Sequence, residues 1–210
     1  TIIVPQGAQV AVSDGGAEGP LIFETDQALI ALGAKLAAVQ VFDGFSYTVE
    51  TTSNTSSDQS FKPFGANARE GSALMLGFDS PLAFTDQQVN LMVYVQSKGA
   101  RDLCRYCELD LSRLPLPATL TWEYWDGKAW QAVSLDKDET RALTQSGHVY
   151  FTGPGSDVEQ ASLGEVADKL YWIRCRLEKN TYDKPPVLDA VLTNTIRATQ
   201  AITMTDEVLG

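Results

Sequence analysis

Apolar and polar residues alternate one by one along much of this chain, and a period of two restricts those stretches to β structure. Leu74, Leu76 and Phe78 alternate with Met75 and Gly77, and Leu91, Val93 and Val95 with Met92 and Tyr94. Leu120, Trp122 and Tyr124 alternate with Thr121 and Glu123. Tyr171, Ile173, Cys175 and Leu177 alternate with Trp172, Arg174 and Arg176. Successive side chains of a strand point to opposite faces, so each run can bury one face and show the other. Turn signals separate the runs: Asp79-Ser80-Pro81, Asp126-Gly127, Ser146-Gly147, Gly153-Pro154-Gly155 and Pro185-Pro186. Short alternating strands between such breaks indicate an antiparallel sandwich or barrel. The expected fold is therefore mainly β, an antiparallel and jelly-roll-like β-sandwich with a smaller N-terminal β-containing portion.

The N-terminal part is less regular. Val4-Pro5-Gln6-Gly7 reads as a turn at a strand edge, Gln9 to Val12 as a short strand, and Leu21 to Thr25 as the start of another segment. Gln27 to Val41 is ambiguous, since its Ala and Leu content favours helix while its ends look extended. Thr51 to Ser60 is a polar Ser/Thr/Asn run without periodicity, which reads as a linker or as a long loop inside one domain. The expected division is residues 1–60 as an N-terminal portion, 61–196 as the sandwich, and 197–210 as a C-terminal connection.

Charge excludes some partners. With 16 Lys and Arg against 27 Asp and Glu, the net charge is −11. A nucleic-acid partner calls for a basic face, and an anionic membrane surface repels such a chain. No apolar run approaches the roughly 18 residues of a membrane span, and no G-x-G-x-x-G or βαβ spacing marks a nucleotide fold. Three cysteines cannot all pair with one another, and a low odd count fits a reducing compartment.

The densest chemistry is Thr121-Trp122-Glu123-Tyr124-Trp125-Asp126-Gly127-Lys128-Ala129-Trp130, which holds three of the four tryptophans. Asp126-Gly127 is a two-residue hairpin signal. With those two as the loop, Trp125 faces Lys128, Glu123 faces Trp130, and Trp122 sits opposite Gln131. Trp122 and Tyr124 then share a core-like face with Ala129, while Trp125 and Trp130 lie diagonally on the other face with Glu123 and Lys128. The main expectation for all three tryptophans is packing. Trp125 and Trp130 are also the candidate interface or ligand surface, because tryptophan is enriched at interfaces and can stack on a sugar.

Other groups carry weaker signals. Cys104-Arg105-Tyr106-Cys107 is a C-x-x-C that could nominally join His148 and Cys175 around zinc. Cys175 falls on the apolar side of its strand, where a small buried hydrophobe belongs, so inert thiols and no metal are expected. His148, the sole histidine, enters a strand with no nucleophile elbow nearby. Asp136-Lys137-Asp138-Glu139 reads as a solvated turn, with too few oxygen ligands for calcium. No carboxylate pair for glycoside hydrolysis can be nominated. No catalytic residue and no cofactor is expected, and small-molecule binding is disfavoured.

Several phrases, taken in order, resemble the baseplate J-like proteins. They are Ile3-Val4-Pro5-Gln6-Gly7-Ala8-Gln9-Val10 with Phe23-Glu24-Thr25-Asp26, then Leu76-Gly77-Phe78-Asp79 with Pro81-Leu82. Trp122 to Gly127 with Trp130 follows, and Thr144 to Gly147 leading into Val149 and Phe151. Tyr171-Trp172-Ile173-Arg174, Tyr182 with Pro185-Pro186, Asn194-Thr195 and Glu207-Val208-Leu209-Gly210 complete the set. The family comprises assembly proteins in the baseplates of contractile phage tails and phage-tail-like injection particles. The resemblance implies a non-enzymatic wedge component that contacts other baseplate subunits, cytoplasmic during assembly and then part of the particle. It also implies a longer protein, since members continue past the stretch that Glu207 to Gly210 resembles. The cysteine pair is not a feature of the family. The competing reading is a carbohydrate-binding β-sandwich that stacks sugar on Trp125 and Trp130.

Overall fold

A computed structural model describes residues 2–12, 20–84, 88–96 and 115–200. The chain forms two compact units, one made of Thr1–Ala31 with Asn194–Gly210 and the other of Leu32–Thr193. The fold is mainly β, and among the described residues every strand pairs antiparallel.

In the small unit, β1 (Ile2–Val4) pairs with β4 (Leu29–Ala31), and β3 (Leu21–Thr25) lies between β2 (Gln9–Val12) and β16 (Ala198–Gln200). Thr25 anchors the turn that precedes β2. Its Oγ1 donates to the Pro5 carbonyl at 2.8 Å and accepts from the Ala8 N–H at 3.0 Å. Gly7 takes the left-handed φ of +76° that this turn requires. The cross-strand register puts Val10 opposite Phe23 and Val12 opposite Leu21, so these four gather on one face, while Ile22 lies opposite Ala11 on the other. Val10, Val12 and Leu21 stay exposed there, as do Ile2 and Ile3 on β1.

The described residues of the large unit form two sheets. The first runs β10 (Trp130–Ala132), β9 (Ala118–Trp125), β14 (Val166–Asn180), β7 (Ala73–Phe78), β5 (Leu36–Phe42) and β6 (Tyr47–Val49), with β13 (Gln160–Leu163) pairing to the start of β14. The second runs β11 (Leu135–Asp138), β12 (Gly147–Thr152), β8 (Gln88–Val95) and β15 (Leu188–Thr193). The alternating runs now have a physical destination. Leu74, Leu76, Phe78, Trp122, Ile173, Cys175 and Leu177 from the first sheet meet Val89, Leu91, Val93, Val149 and Phe151 from the second in one buried cluster. This is the packing of a β-sandwich, in which the inner faces of two sheets interdigitate.

The first sheet buries part of its outer face as well. Ala38, Ala73, Met75, Leu170 and Trp172 form a second apolar cluster. The Trp172 Nε1–H donates to the Ala161 carbonyl at 2.7 Å, which fixes the indole under β13. Gly77 sits where a Cβ would come within 2.7 Å of Leu170 and 2.9 Å of the Trp172 ring. The strand therefore reads glycine at that point for lack of space.

Two expectations change and two open readings resolve. The division at residue 60 falls inside the large unit, so of the two readings of Thr51 to Ser60 the linker gives way to a segment within one unit, where Thr51–Thr55 forms α1, a single helical turn. The cause is Asn54, buried in that turn, whose amide donates to the Val191 carbonyl at 3.0 Å and accepts from the Val191 N–H at 2.7 Å. Asn54 thus occupies the outer edge of β15 as a neighbouring strand would. Gln27 to Val41 resolves to β4 and β5, with no helix. Asp136 to Asp138 belongs to β11 instead of a turn, with a register shift between Leu135 and Lys137.

One local feature departs from ordinary geometry. Arg141, Ala142 and Leu143 have φ of 50°, 58° and 58°, three successive left-handed residues between β11 and β12. Thr140 closes this turn: its carbonyl accepts from the Thr144 N–H at 2.9 Å and its Oγ1 from the Leu143 N–H at 3.0 Å. Tyr182 donates its hydroxyl to the Ala142 carbonyl at 2.6 Å, and Leu143 is fully buried. Among the described residues no helix is long and apolar enough to cross a membrane.

Candidate functional site

The aromatic hairpin carries the best-defined cluster of polar and aromatic side chains. Its register differs from expectation, because Trp130 lies directly opposite Trp125, Gln131 opposite Tyr124 and Ala132 opposite Glu123. The loop is four residues, Asp126 to Ala129. Asp126 Oδ1 accepts from the N–H groups of Lys128 at 2.8 Å and Ala129 at 2.7 Å. The carboxylate thereby takes the place of the Asp126 carbonyl as acceptor, while the Asp126 N–H still donates to the Ala129 carbonyl at 3.1 Å. The two bonds to Oδ1 hold the Asp126 pKa below the usual aspartate value. The partition of faces is as expected: Trp122 is buried in the main core with Leu120 and Tyr124 packed beside it, while Trp125 and Trp130 lie on the outer face.

On that outer face the Trp125 and Trp130 rings are 5.5 Å apart and inclined at 62°, an edge-to-face pair. Both are half-buried against the second apolar cluster. The Arg174 guanidinium stands 4.3 Å over Trp130, a cation–π contact worth about 0.5–2 kcal/mol. β14 pairs with β9 so that Arg174 is opposite Glu123 and Arg176 is one step along the same face. Glu123 Oε2 accepts from Arg174 Nε at 2.7 Å and from Arg176 Nε at 3.1 Å.

Burial pushes the Glu123 carboxyl upward, and the two arginine hydrogen bonds with their charges outweigh it, leaving the pKa below the ordinary 4.5. A depressed carboxylate pKa stabilises the fold above the unfolded-state pKa, and that contribution disappears as pH falls through the folded pKa. Glu123→Gln is therefore expected to cost about 1–2 kcal/mol at pH 7, the low side of the range for charged hydrogen bonds because both guanidiniums keep solvent contact. The deficit relative to wild type should close as pH drops below about 4.5. Urea unfolding midpoints of both proteins between pH 7 and pH 3 check this, and a deficit independent of pH would contradict it.

Glu123, Arg174 and Arg176 were not singled out from sequence. Their signal was present, as charged residues at alternate, outward positions of two otherwise apolar strands, but the pairing of β9 with β14 was needed to join them.

The remaining candidates lie apart. His148 is buried on β12, with Nδ1 2.6 Å from Asn90 Oδ1 and its ring stacked on Tyr150. Cys175 lies in the main core, where burial pushes its thiol pKa well up. Cys104 and Cys107 lie outside the described residues. Among the described residues no group of three or more His, Cys, Asp or Glu side chains is arranged to hold a metal ion. A cleft of about 500 Å³ is lined by Val41, Thr48, Glu50, Ser60, Phe61 and Gln96, among others. A second, of about 390 Å³, lies by Ser56, Asp58, Tyr94 and Asp189. Neither is lined by Trp125 or Trp130. The carboxylates at the first are engaged in local turns, Asp43 accepting from the Phe45 and Ser46 N–H groups and Glu50 from Ser53 Oγ.

A scan against protein-family models and a search of curated proteins each return no significant match for this chain.

Proposed function

We propose that the chain is a structural component of the baseplate of a contractile tail or tail-like injection particle, acting in the wedge through contacts with other baseplate subunits. The reading begins from the ordered set of motifs that resembles the baseplate J-like proteins. The geometric observation that carries it is the small unit, whose short strands leave Ile2, Ile3, Val10, Val12, Leu21 and Ile22 exposed. Exposed aliphatic faces of this kind mark protein contacts. The side chains with catalytic potential favour the same reading, since Asp43, Glu50, Glu123 and His148 all engage neighbouring groups that hold turns and strands together. The protein works without catalysis or cofactor, in the cytoplasm during assembly and afterwards in the particle.

The carbohydrate alternative depends on Trp125 and Trp130. A sugar ring stacks on an open aromatic face, whereas these rings are inclined at 62° and one face of Trp130 carries Arg174. The test is co-expression of the full-length protein with neighbouring baseplate subunits, beside a glycan array on the chain alone. A complex that survives gel filtration, a monomeric isolated chain and a silent array are expected. Micromolar sugar binding abolished by Trp125→Ala, with no co-purifying subunit, would replace this reading by a carbohydrate-binding module.

A further inference from the structure

Most of the hydrogen-bonding capacity of Arg174 and Arg176 is unspent. Each gives only its Nε–H, to the same Glu123 oxygen, and the Nη groups meet no acceptor among the described residues. A guanidinium presents those remaining donors as a planar fork that matches a carboxylate. The two forks are also held in place. Glu123 ties both from one side, Trp130 lies against Arg174, and the arginine side chains are only 18% and 28% exposed. Ordering that a free arginine would undergo on binding is already complete, which lowers the entropic cost of capture.

The local charge limits the guest. Glu123 faces both guanidiniums, and Glu178, whose Oε2 accepts from Thr121 Oγ1 directly across from Arg176, adds a second carboxylate on the same face. With no large positive excess, the Nη forks suit a singly charged carboxylate better than a phosphate monoester, which carries about −1.5 to −2 at neutral pH. The Trp125–Trp130 pair beside the forks offers apolar surface to whatever flanks that carboxylate. Trp and Arg are also the residue types that dominate interface energetics.

We propose that Arg174 and Arg176, with the Trp125–Trp130 ledge, form the recognition site for an acidic side chain of a partner protein, the carboxylate seated on the Nη forks and an adjoining apolar side chain laid on the tryptophans. This rests on the reading of the chain as a contact-making subunit and supplies the chemistry of one contact.

The experiment follows the Arg Nε–Hε signals of the labelled chain by NMR during titration with acetyl-Phe-Glu-amide, acetyl-Phe-Gln-amide and inorganic phosphate. The glutamyl peptide should shift the Arg174 and Arg176 signals saturably, with affinity at least tenfold above that of the glutaminyl peptide and above that of phosphate. Arg176→Lys, which keeps the charge and removes the fork, should weaken the glutamyl peptide at least tenfold while the chain stays folded, with only a small fall in melting temperature from the altered Glu123 contact. Lys128→Ala, on the hairpin loop, should leave binding intact. Equal affinity for the two peptides, or no shift with either, overturns the proposal. Tighter binding of phosphate overturns the choice of a protein carboxylate. Loss of the peptide result with successful co-purification of baseplate subunits removes this site and leaves the assembly role. Peptide binding without co-purification removes the assembly role and leaves the site.

Discussion

Replacing Trp122 by alanine is expected to cost the fold about 3–5 kcal/mol. The side chain is 2% exposed and packs at the meeting of both sheets, opposite Cys175 on β14. Its removal opens a cavity in a cluster whose backbone is fixed by strand pairing on both sides of β9, so collapse around the gap is restricted. Trp122→Phe should cost distinctly less. The indole Nε1–H is buried with no acceptor among the described residues, and a buried unsatisfied donor costs about 1–3 kcal/mol. Phenylalanine discards that donor while keeping most of the ring. Urea denaturation midpoints of the two variants and the wild type give the order directly. Equal losses for both would show that the unpaired donor carries no penalty, and an unchanged midpoint for Trp122→Ala would remove Trp122 from the core.

The second large effect belongs to Asn54. Its side-chain amide both donates to and accepts from the backbone of Val191, on the outer edge of β15. Asn54→Ala leaves a buried N–H and a buried carbonyl without their Asn54 partner, and at about 1–3 kcal/mol for each group a loss of about 2–6 kcal/mol is expected. Asn54→Asp should be nearly as damaging, because a carboxylate can accept from the Val191 N–H but has no hydrogen to give its carbonyl. Hydrogen exchange offers a local readout beyond the midpoint. The Val191 amide should exchange faster by a factor that tracks the lost stability, or more if β15 opens on its own. Unaltered protection at Val191 in Asn54→Ala would show that the edge is held by other means.

How much of this was legible from residues alone follows from the range of each interaction. The runs at 74–78, 91–95, 120–124 and 171–177 are now parts of β7, β8, β9 and β14, because alternation is a local property and burial of one face enforces it. The core placement of Trp122 and Cys175 came from the same rule. The hairpin register did not, although its turn was recognised. Asp126 closes a four-residue loop with its own carboxylate, and the two-residue Asp-Gly signal does not distinguish that outcome. Thr51 to Ser60 looked like a linker or a long loop because nothing within it is apolar. Its order comes from a contact 137 residues away. The unit boundaries were illegible for a similar reason, since β16 from the C-terminal part pairs with β3 near the start. Glu123 with Arg174 and Arg176 lies between these cases, each residue visible as an outward charge and their union set by strand pairing.

The left-handed turn at Arg141–Leu143 has a consequence for how this chain can change over generations. A left-handed residue other than glycine costs roughly 1–2 kcal/mol, and β-branched side chains fare worse in that region. Here the cost falls on three neighbours in succession and is offset by the burial of Leu143 and by the bonds from Thr140 and Tyr182. Substitution at these sites is therefore filtered by backbone geometry before chemistry. Valine, isoleucine and threonine are shut out at all three, glycine and asparagine are admitted, and a leucine at 143 is retained only while Tyr182 and Thr140 stay to hold the turn. Lineages that keep this β-sandwich should carry that correlated signature between β11 and β12, even after the surrounding surface has drifted beyond recognition.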